Sequence, residues 1–453
     1  MKRTTRLFIL IAFPLILSSL LLSCGSNKAR ISVTVIGEND GTPAFIYFAD
    51  EREIVIPIDS LGKGELTLDI SEPIYVTFYY QYLSPKLFLT PGTDICLSFE
   101  ENETGMDTEI TGKGSDESRY LNFAPLFAAE INDTELSEEA FLALSDSLYN
   151  ANLSELEKAG LSKTFNELER ERLKYFSYST LPSYPYFHRR LTMDTTYSAS
   201  SVYWEKLNGL LVIEPSQLQY KEYRSFISEA ADRISIDKYP GIRTIDALVK
   251  YVESDVTEPL IAEFLINNKI FKMMEQRGLA SLSDSDIEAF RRFVKTPELI
   301  DSFETLYDKW NNISEGSPSP IFNAIDVNGN KFSLADFSGK YLYIDVWAIW
   351  CGPCRIEIPH MKELEERYHG KDITFVSISC DADLEAWKSR VNEGMTGVQL
   401  HFDEGDNFMD DYIITGIPRF ILLDREGKII SSDMSRPSDQ ETAVKLDQLF
   451  KKY

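Results

Sequence analysis

The stretch that decides the fold is Tyr341-Leu-Tyr-Ile-Asp345-Val-Trp347-Ala-Ile-Trp350-Cys351-Gly352-Pro353-Cys354-Arg355. The apolar run Tyr341 to Trp347 predicts a buried strand, and two cysteines two residues apart follow it at a strand-to-helix junction. Such a pair reads as redox chemistry. The strand delivers Cys351 to the first turn of a helix, where unpaired N–H groups and the helix dipole favour a thiolate. A thiol of pKa about 8.5 is about 3% ionised at pH 7, whereas one lowered to about 7 is about half ionised. Cys354, one turn on, sits behind Cys351 and can attack a mixed disulfide formed there.

Outward from this stretch, composition sets bounds. A chain of 453 residues predicts two or three domains. A hydrophobic content of 43% is that of a globular protein. The net charge of −26, from 72 acidic against 46 basic residues, argues against nucleic acid as a partner. Phosphate neutralisation needs basic patches, and none is visible.

The N-terminus carries Lys2, Arg3 and Arg6 ahead of an apolar run from Leu7 to Leu22. Charged and apolar regions in that order read as a secretory signal. The run ends in Leu21-Leu22-Ser23-Cys24, which resembles the bacterial lipoprotein cleavage box. The resemblance implies a signal peptide over 1–23, cleavage before Cys24 and lipidation there. The alternative is a plain membrane-anchor helix. The five cysteines then divide into one lipid site, the redox pair, and Cys96 and Cys380. So few in an exported protein do not make a disulfide scaffold.

Residues 24–112 predict a small antiparallel β sandwich or barrel, with strand-like runs at Ile31–Ile36, Phe45–Phe48, Ile54–Ile58, Glu65–Ile70, Ile74–Tyr80 and Ile95–Phe99. Asn39-Asp40-Gly41, Gly62-Lys-Gly64 and Pro91-Gly92 punctuate them as turns. The segment Leu87-Phe-Leu-Thr-Pro-Gly-Thr-Asp-Ile resembles the β domain of unknown function that precedes redox modules in lipoproteins. Residues 113–315 predict an α-helical region, with Ser137 and Ser162 as caps, an apolar stripe from Pro259 to Gly278, and a helix start at Thr296-Pro297. The tyrosine- and proline-rich segment Tyr175 to Tyr186 breaks the helices; it either packs between them or lines a groove. Ser314-Glu-Gly-Ser-Pro-Ser-Pro320 is a linker by composition. Asp326-Val-Asn328-Gly329 suits a hairpin with a type I′ turn.

Residues 316–453 alternate strand and helix and predict an α/β module on a mainly parallel sheet. Asp345-Val-Trp347-Ala-Ile-Trp350-Cys351-Gly-Pro-Cys354-Arg355, then Glu357 and Pro359, and later Gly416-Ile417-Pro418, resemble the thioredoxin-like proteins of the TlpA/ResA type. The resemblance covers about the last third of the chain. It implies a C-terminal thioredoxin-like fold and a thiol-disulfide oxidoreductase, with Cys351 and Cys354 catalytic. It further implies that Asp345 takes the proton of Cys354, burial having raised its pKa. Trp350, Gly352, Pro353, Ile417 and Pro418 would meet the substrate, with Pro418 as a cis-proline whose backbone pairs with an incoming peptide. Glu357 would orient structure rather than react. His360 and His369 read as surface residues, and no spacing suggests a metal site. Cys380 reads as core filler or a third modulating thiol; Cys96, alternating with Ile95 and Leu97, faces away from them.

The function expected is a lipid-anchored, periplasm-facing thiol-disulfide oxidoreductase of the outer membrane, with no cofactor beyond the Cys351–Cys354 disulfide. Its expected partners are exported protein thiols and disulfides, a membrane redox donor or acceptor, and the membrane itself through Cys24. Gly-Pro between the cysteines resembles the thioredoxin pair, which implies reduction. A binding or scaffold lipoprotein whose front domains dock a partner is the alternative. A peroxidase would need a Pro-x-x-x-Thr-x-x-Cys thiol that this chain lacks.

Overall fold

The structure, a computed structural model, describes residues 27–37, 41–48, 52–102, 105–403 and 405–451. The signal-like run, Cys24 and the Asn39-Asp40 turn lie outside the described residues. Two compact units divide the chain, residues 27–272 with 282–300 and residues 273–281 with 301–451.

The first unit begins with eight strands: β1 (Lys28–Ile36), β2 (Ala44–Phe48), β3 (Glu53–Ile56), β4 (Lys63–Asp69), β5 (Ile74–Tyr79), β6 (Lys86–Leu89), β7 (Asp94–Asn102) and β8 (Gly105–Lys113). They form two four-stranded sheets, ordered β4-β1-β7-β8 and β3-β2-β5-β6. Strand β1 shows why they pack as a sandwich. Ala29, Ile31, Val33 and Val35 point inward and alternate with outward polar residues. These join Phe78, Leu97 and Phe99 in a core shared by both sheets. One pairing departs from the antiparallel expectation: β1 and β7 run parallel, with Ile31 opposite Ile95.

Helices follow. Ser137 Oγ accepts the Ala140 N–H at 3.4 Å and caps Glu138–Lys158. Ser162 caps α1 (Lys163–Ser177) in the same way through Phe165. Between α1 and the next helix, Tyr184–Thr192, the chain makes a short 3-10 turn at Leu181–Ser183. Tyr175, Tyr178 and Tyr184 are buried there, with Tyr184 stacked on Phe141 at 4.4 Å. Tyr175, Tyr178 and Tyr184 thus pack between helices, while Tyr186 at the end of the segment stays exposed. Helix α1 also ties helices to sheet. Arg172 donates to both Glu169 oxygens at 2.6 and 2.8 Å and to Glu222 at 2.6 Å on α2 (Lys221–Lys238). Tyr75 on β5 donates its hydroxyl to Glu169 at 3.3 Å.

The boundary between the units cuts two helices, α3 (Pro259–Arg277) and α4 (Pro297–Asn312), rather than the Ser-Pro stretch. Gly278, at φ +63°, lies against Trp310 of α4 so closely that a Cβ would come within 2.8 Å of the ring. The supposed linker is hydrogen-bonded into the second unit. Gly316 N–H reaches the Ile429 carbonyl at 2.7 Å, and Ser319 N–H reaches Gly427 at 3.0 Å. Pro318 and Pro320 have no N–H to offer, which suits a segment paired on one side only.

The second unit's sheet comprises β9 (Asn323–Ile325), β10 (Lys331–Ser333), β11 (Tyr341–Trp347), β12 (Ile373–Ser379), β13 (Val398–Phe402), β14 (Arg419–Leu423) and β15 (Ile429–Met434). Their order is β10-β9-β13-β12-β11-β14-β15. Only β11–β12 and β12–β13 are parallel, so the sheet is mixed and the mainly parallel expectation is corrected. Hairpins at both ends, the return of β9 beside β13 and the central β11–β14 pair supply the antiparallel pairs. The β9–β10 turn also differs from type I′. Gly329 is at φ +82°, but Asn328 is not at positive φ. Asp326 instead accepts the Asn328 and Asn330 N–H groups at 2.9 and 2.8 Å, which sets an ordinary Asx-stabilised turn. Helices α5 (Gly352–Arg367), α6 (Leu384–Asn392) and α7 (Gln440–Lys451) complete this unit.

Candidate active site

Strand β11 is buried from Leu342 through Trp347, then stops, and the chain turns into α5. This places Cys351 at the N-cap of α5, with φ −80° and ψ 103°, outside the helical region. Its sulfur takes the place of the usual capping oxygen: Sγ accepts the Cys354 N–H at 3.1 Å. A negative charge on this sulfur would face a backbone donor and the positive end of the helix dipole. Pro353 fits the first turn because no N–H is required there.

Cys351 and Cys354 are joined as a disulfide, with Cα atoms 5.3 Å apart. They are 4% and 3% exposed, walled by Trp347, Ala348 and Trp387. The Ile417 carbonyl oxygen lies 3.7 Å from Cys351 Sγ, and the Ile417–Pro418 peptide is cis. Chain segments 66 residues apart in sequence thus meet at one sulfur. Trp350, next to Cys351 in the chain, is 69% exposed, and Ile356, two residues past Cys354, is 66% exposed. Gly352 has open space where a Cβ would stand.

Asp345 is buried on β11, opposite Ser377 of β12 and Phe420 of β14. Ser377 Oγ donates to Asp345 Oδ2 at 3.4 Å, and Oδ1 has no hydrogen-bond partner. Burial pushes its pKa up to about 7; the Ser377 hydrogen bond opposes this and the Glu357 charge reinforces it. Glu357 itself is buried on α5, where it accepts Ser438 N–H at 3.0 Å and Ser438 Oγ–H at 2.9 Å. It orients the loop before α7. Cys380 is half-buried, its sulfur 3.4 Å from the Trp347 carbonyl, and burial pushes its thiol up to about 11. That keeps the thiol far from ionised at neutral pH. Cys96 lies in the other unit, near Thr34 and Ser98. His360 is partly exposed beside Glu363, and His369 is exposed just past the end of α5.

Two side chains unforeseen in the sequence help shape this site. Trp387 of α6 is fully buried in the cluster around the cysteines. Asp381, also buried, accepts the Ile349 N–H at 3.0 and 3.1 Å and the Ser379 hydroxyl at 2.7 Å, which pins the turn leading to Cys351. An acid two residues past a buried strand was the available signal. Among the described residues, no group of three or more His, Cys, Asp or Glu side chains is placed to hold a metal ion. No helix among them is long and apolar enough to cross a membrane.

Residues 314–446 match the redoxin family model. The chain is 27% identical to the thiol-disulfide oxidoreductase ResA of Bacillus cereus over 150 residues, 33% of this chain and 84% of that protein. A protein of Bacteroides vulgatus solved in solution is 57% identical over 31% of this chain and 93% of its own, at a TM-score of 0.28. The thioredoxin domain of another Bacteroides vulgatus thiol-disulfide oxidoreductase is 31% identical over 30% of this chain and 97% of its own, at a TM-score of 0.28.

Proposed function

We propose, from the premise that the C-terminal third of this chain is a redoxin domain and a thiol-disulfide oxidoreductase of thioredoxin-like type, that it reduces protein disulfides outside the cytoplasm through Cys351 and Cys354. The observation that carries this reading is Cys351 Sγ at the N-cap of α5, accepting the Cys354 N–H at 3.1 Å beside the Ile417 carbonyl.

In the reduced enzyme the Cys351 thiolate attacks one sulfur of a substrate disulfide. The substrate S–S bond breaks, an S–S bond to Cys351 forms, and the departing thiolate takes a proton from water. Cys354 then gives its proton to the Asp345 carboxylate and attacks Cys351 Sγ, releasing the second substrate thiolate. The substrate gains two electrons and the enzyme becomes the disulfide. A dithiol donor on the membrane side would return it to the reduced form. Trp350, Gly352, Pro353 and Ile417 would hold the substrate chain next to Pro418. No cofactor enters this cycle. Lipid on Cys24 would keep the protein at the membrane facing the periplasm, with 24–112 and 113–315 as the domains between tether and redox module.

Replacing Cys354 with serine should leave substrates bonded to Cys351. Mixed disulfides recovered from cells, released by dithiothreitol and absent when Cys351 is also changed to serine, are the expected result. A Cys354→Ser protein that folds yet traps nothing above that double variant would overturn the reading.

A further inference from the structure

Asp345 is a buried acid with little to support its charge. Its surroundings can be taken element by element. Its own strand presents Tyr343, whose hydroxyl donates away to the Ser435 carbonyl at 3.1 Å. Strand β14 presents Phe420, an apolar ring. Helix α5 presents Glu357, whose negative charge disfavours a second one nearby. The end of β12 carries Cys380, a thiol held protonated by burial. Against these stands a single donor, the Ser377 hydroxyl, 3.4 Å from Oδ2 and itself buried. Strand register makes this contact: Asp345 and Ser377 are paired residues of parallel neighbours.

We propose that Ser377 is a positioning residue of the redox cycle, its hydroxyl holding the Asp345 carboxylate by Oδ2 so that Oδ1 remains free to take the Cys354 proton. This rests on the reading of Asp345 as proton acceptor. In the resolving step the proton passes from Cys354 Sγ to Asp345, the new bond joins the two enzyme sulfurs, and the bond from Cys351 to substrate breaks. Ser377 transfers nothing. A hydroxyl donor favours the carboxylate over the acid, so it lowers the pH above which Asp345 can act as a base, against the larger effect of burial. Hydrogen bonds to charged groups are worth enough that losing one moves such a transition by about one pH unit.

The test uses the full-length protein with Ser377→Thr, which keeps the hydroxyl, and Ser377→Val, of the same shape without it. Both are β-branched and suit a strand. With 5,5′-dithiobis(2-nitrobenzoate), the first thiolate released reports attack by Cys351 and the second reports resolution by Cys354. The Val variant should shift the pH profile of the second release upward by about one unit, slowing it up to about tenfold near neutrality. The Thr variant should follow the wild type, and adding Asp345→Asn should abolish the difference between Val and Thr. If Asp345→Asn removes the rising limb but Val leaves the profile in place, the role of Ser377 falls and that of Asp345 stands. If Asp345→Asn itself leaves the limb intact, the underlying reading falls and takes the proposal with it. Equal shifts in Val and Thr would mean a packing effect and overturn the proposal.

Discussion

Asp345 shows how one side chain ties function to stability. Its carboxyl titrates at about 7 in the folded chain against an ordinary value of 3.8, chiefly because burial penalises the charge. A group whose folded pKa is raised contributes stability that is present below the unfolded pKa and is lost as pH rises through the folded one. The wild type therefore loses stability between about pH 4 and pH 7, at roughly 1.4 kcal/mol per unit. Asparagine carries no charge at any pH and escapes this loss. Asp345→Asn should match the wild type in urea-unfolding free energy near pH 4 and exceed it by a few kcal/mol at pH 8, with a higher urea midpoint there. Tryptophan fluorescence of the redoxin unit reads this directly. Equal midpoints at pH 8 would show that the acid carries no burial cost. The residue was legible from its place on an apolar strand six positions before Cys351. Its partner Ser377 was not, because strand register between β11 and β12 is set by tertiary packing and leaves no local mark.

At the scale of elements, what was legible followed strong local patterns. β11, β12 and β14 are apolar runs on a buried face, and the run Tyr341 to Trp347 expected as a strand is β11 as observed. The Ser137 and Ser162 caps were readable because a serine before an apolar periodic run leaves the backbone few alternatives. β8 escaped because it is an edge strand of mostly polar residues, with Ile110 its buried contribution. β13 is short, with only Leu400 fully buried. Type I′ geometry failed at Asn328-Gly329 because the Asp326 side chain supplied a different hydrogen-bonded turn. The junction of sheet and helices in the first unit hangs on another unmarked feature, the buried Arg172. Burial pushes the Glu222 carboxyl up, but Arg172 and Lys86 outweigh it and hold it below the ordinary range. Arg172→Met would leave Glu169 buried without its cation and Glu222 with only the half-exposed Lys86, 3.5 Å away. Breaking a buried pair this way costs about 3–5 kcal/mol. Hydrogen exchange should accelerate across α1, α2, β5 and β6 while the redoxin unit stays protected. Unchanged protection in those elements would refute the role given to Arg172.

The whole molecule is a small redox module on a chain three times its length, and its chemistry depends on where that chain holds it. On the proposed reading, its thiolate would meet exported substrates only if the body sits outside the cytoplasm. Composition marked Ser314–Pro320 as the flexible joint, yet its backbone is bonded to β15 and the β14–β15 turn, so freedom of movement there is restricted. The remaining device for placement is the N-terminal run and Cys24. Lipidation contributes about 0.8 kcal/mol per buried CH2, and one chain alone gives only reversible binding, so stable anchoring takes a second chain or signal. A lipid on Cys24 would act independently of the redox pair. Cells fed labelled palmitate should therefore label the wild type and the Cys351→Ser variant equally, and both should enter the detergent phase of a Triton X-114 extract. Cys24→Ser should take up no label while keeping the Cys351–Cys354 disulfide. A wild type that takes up no label would rule out lipidation at this residue and leave the plain anchor helix as the way the protein is held, and label retained in Cys24→Ser would move the lipid to another residue.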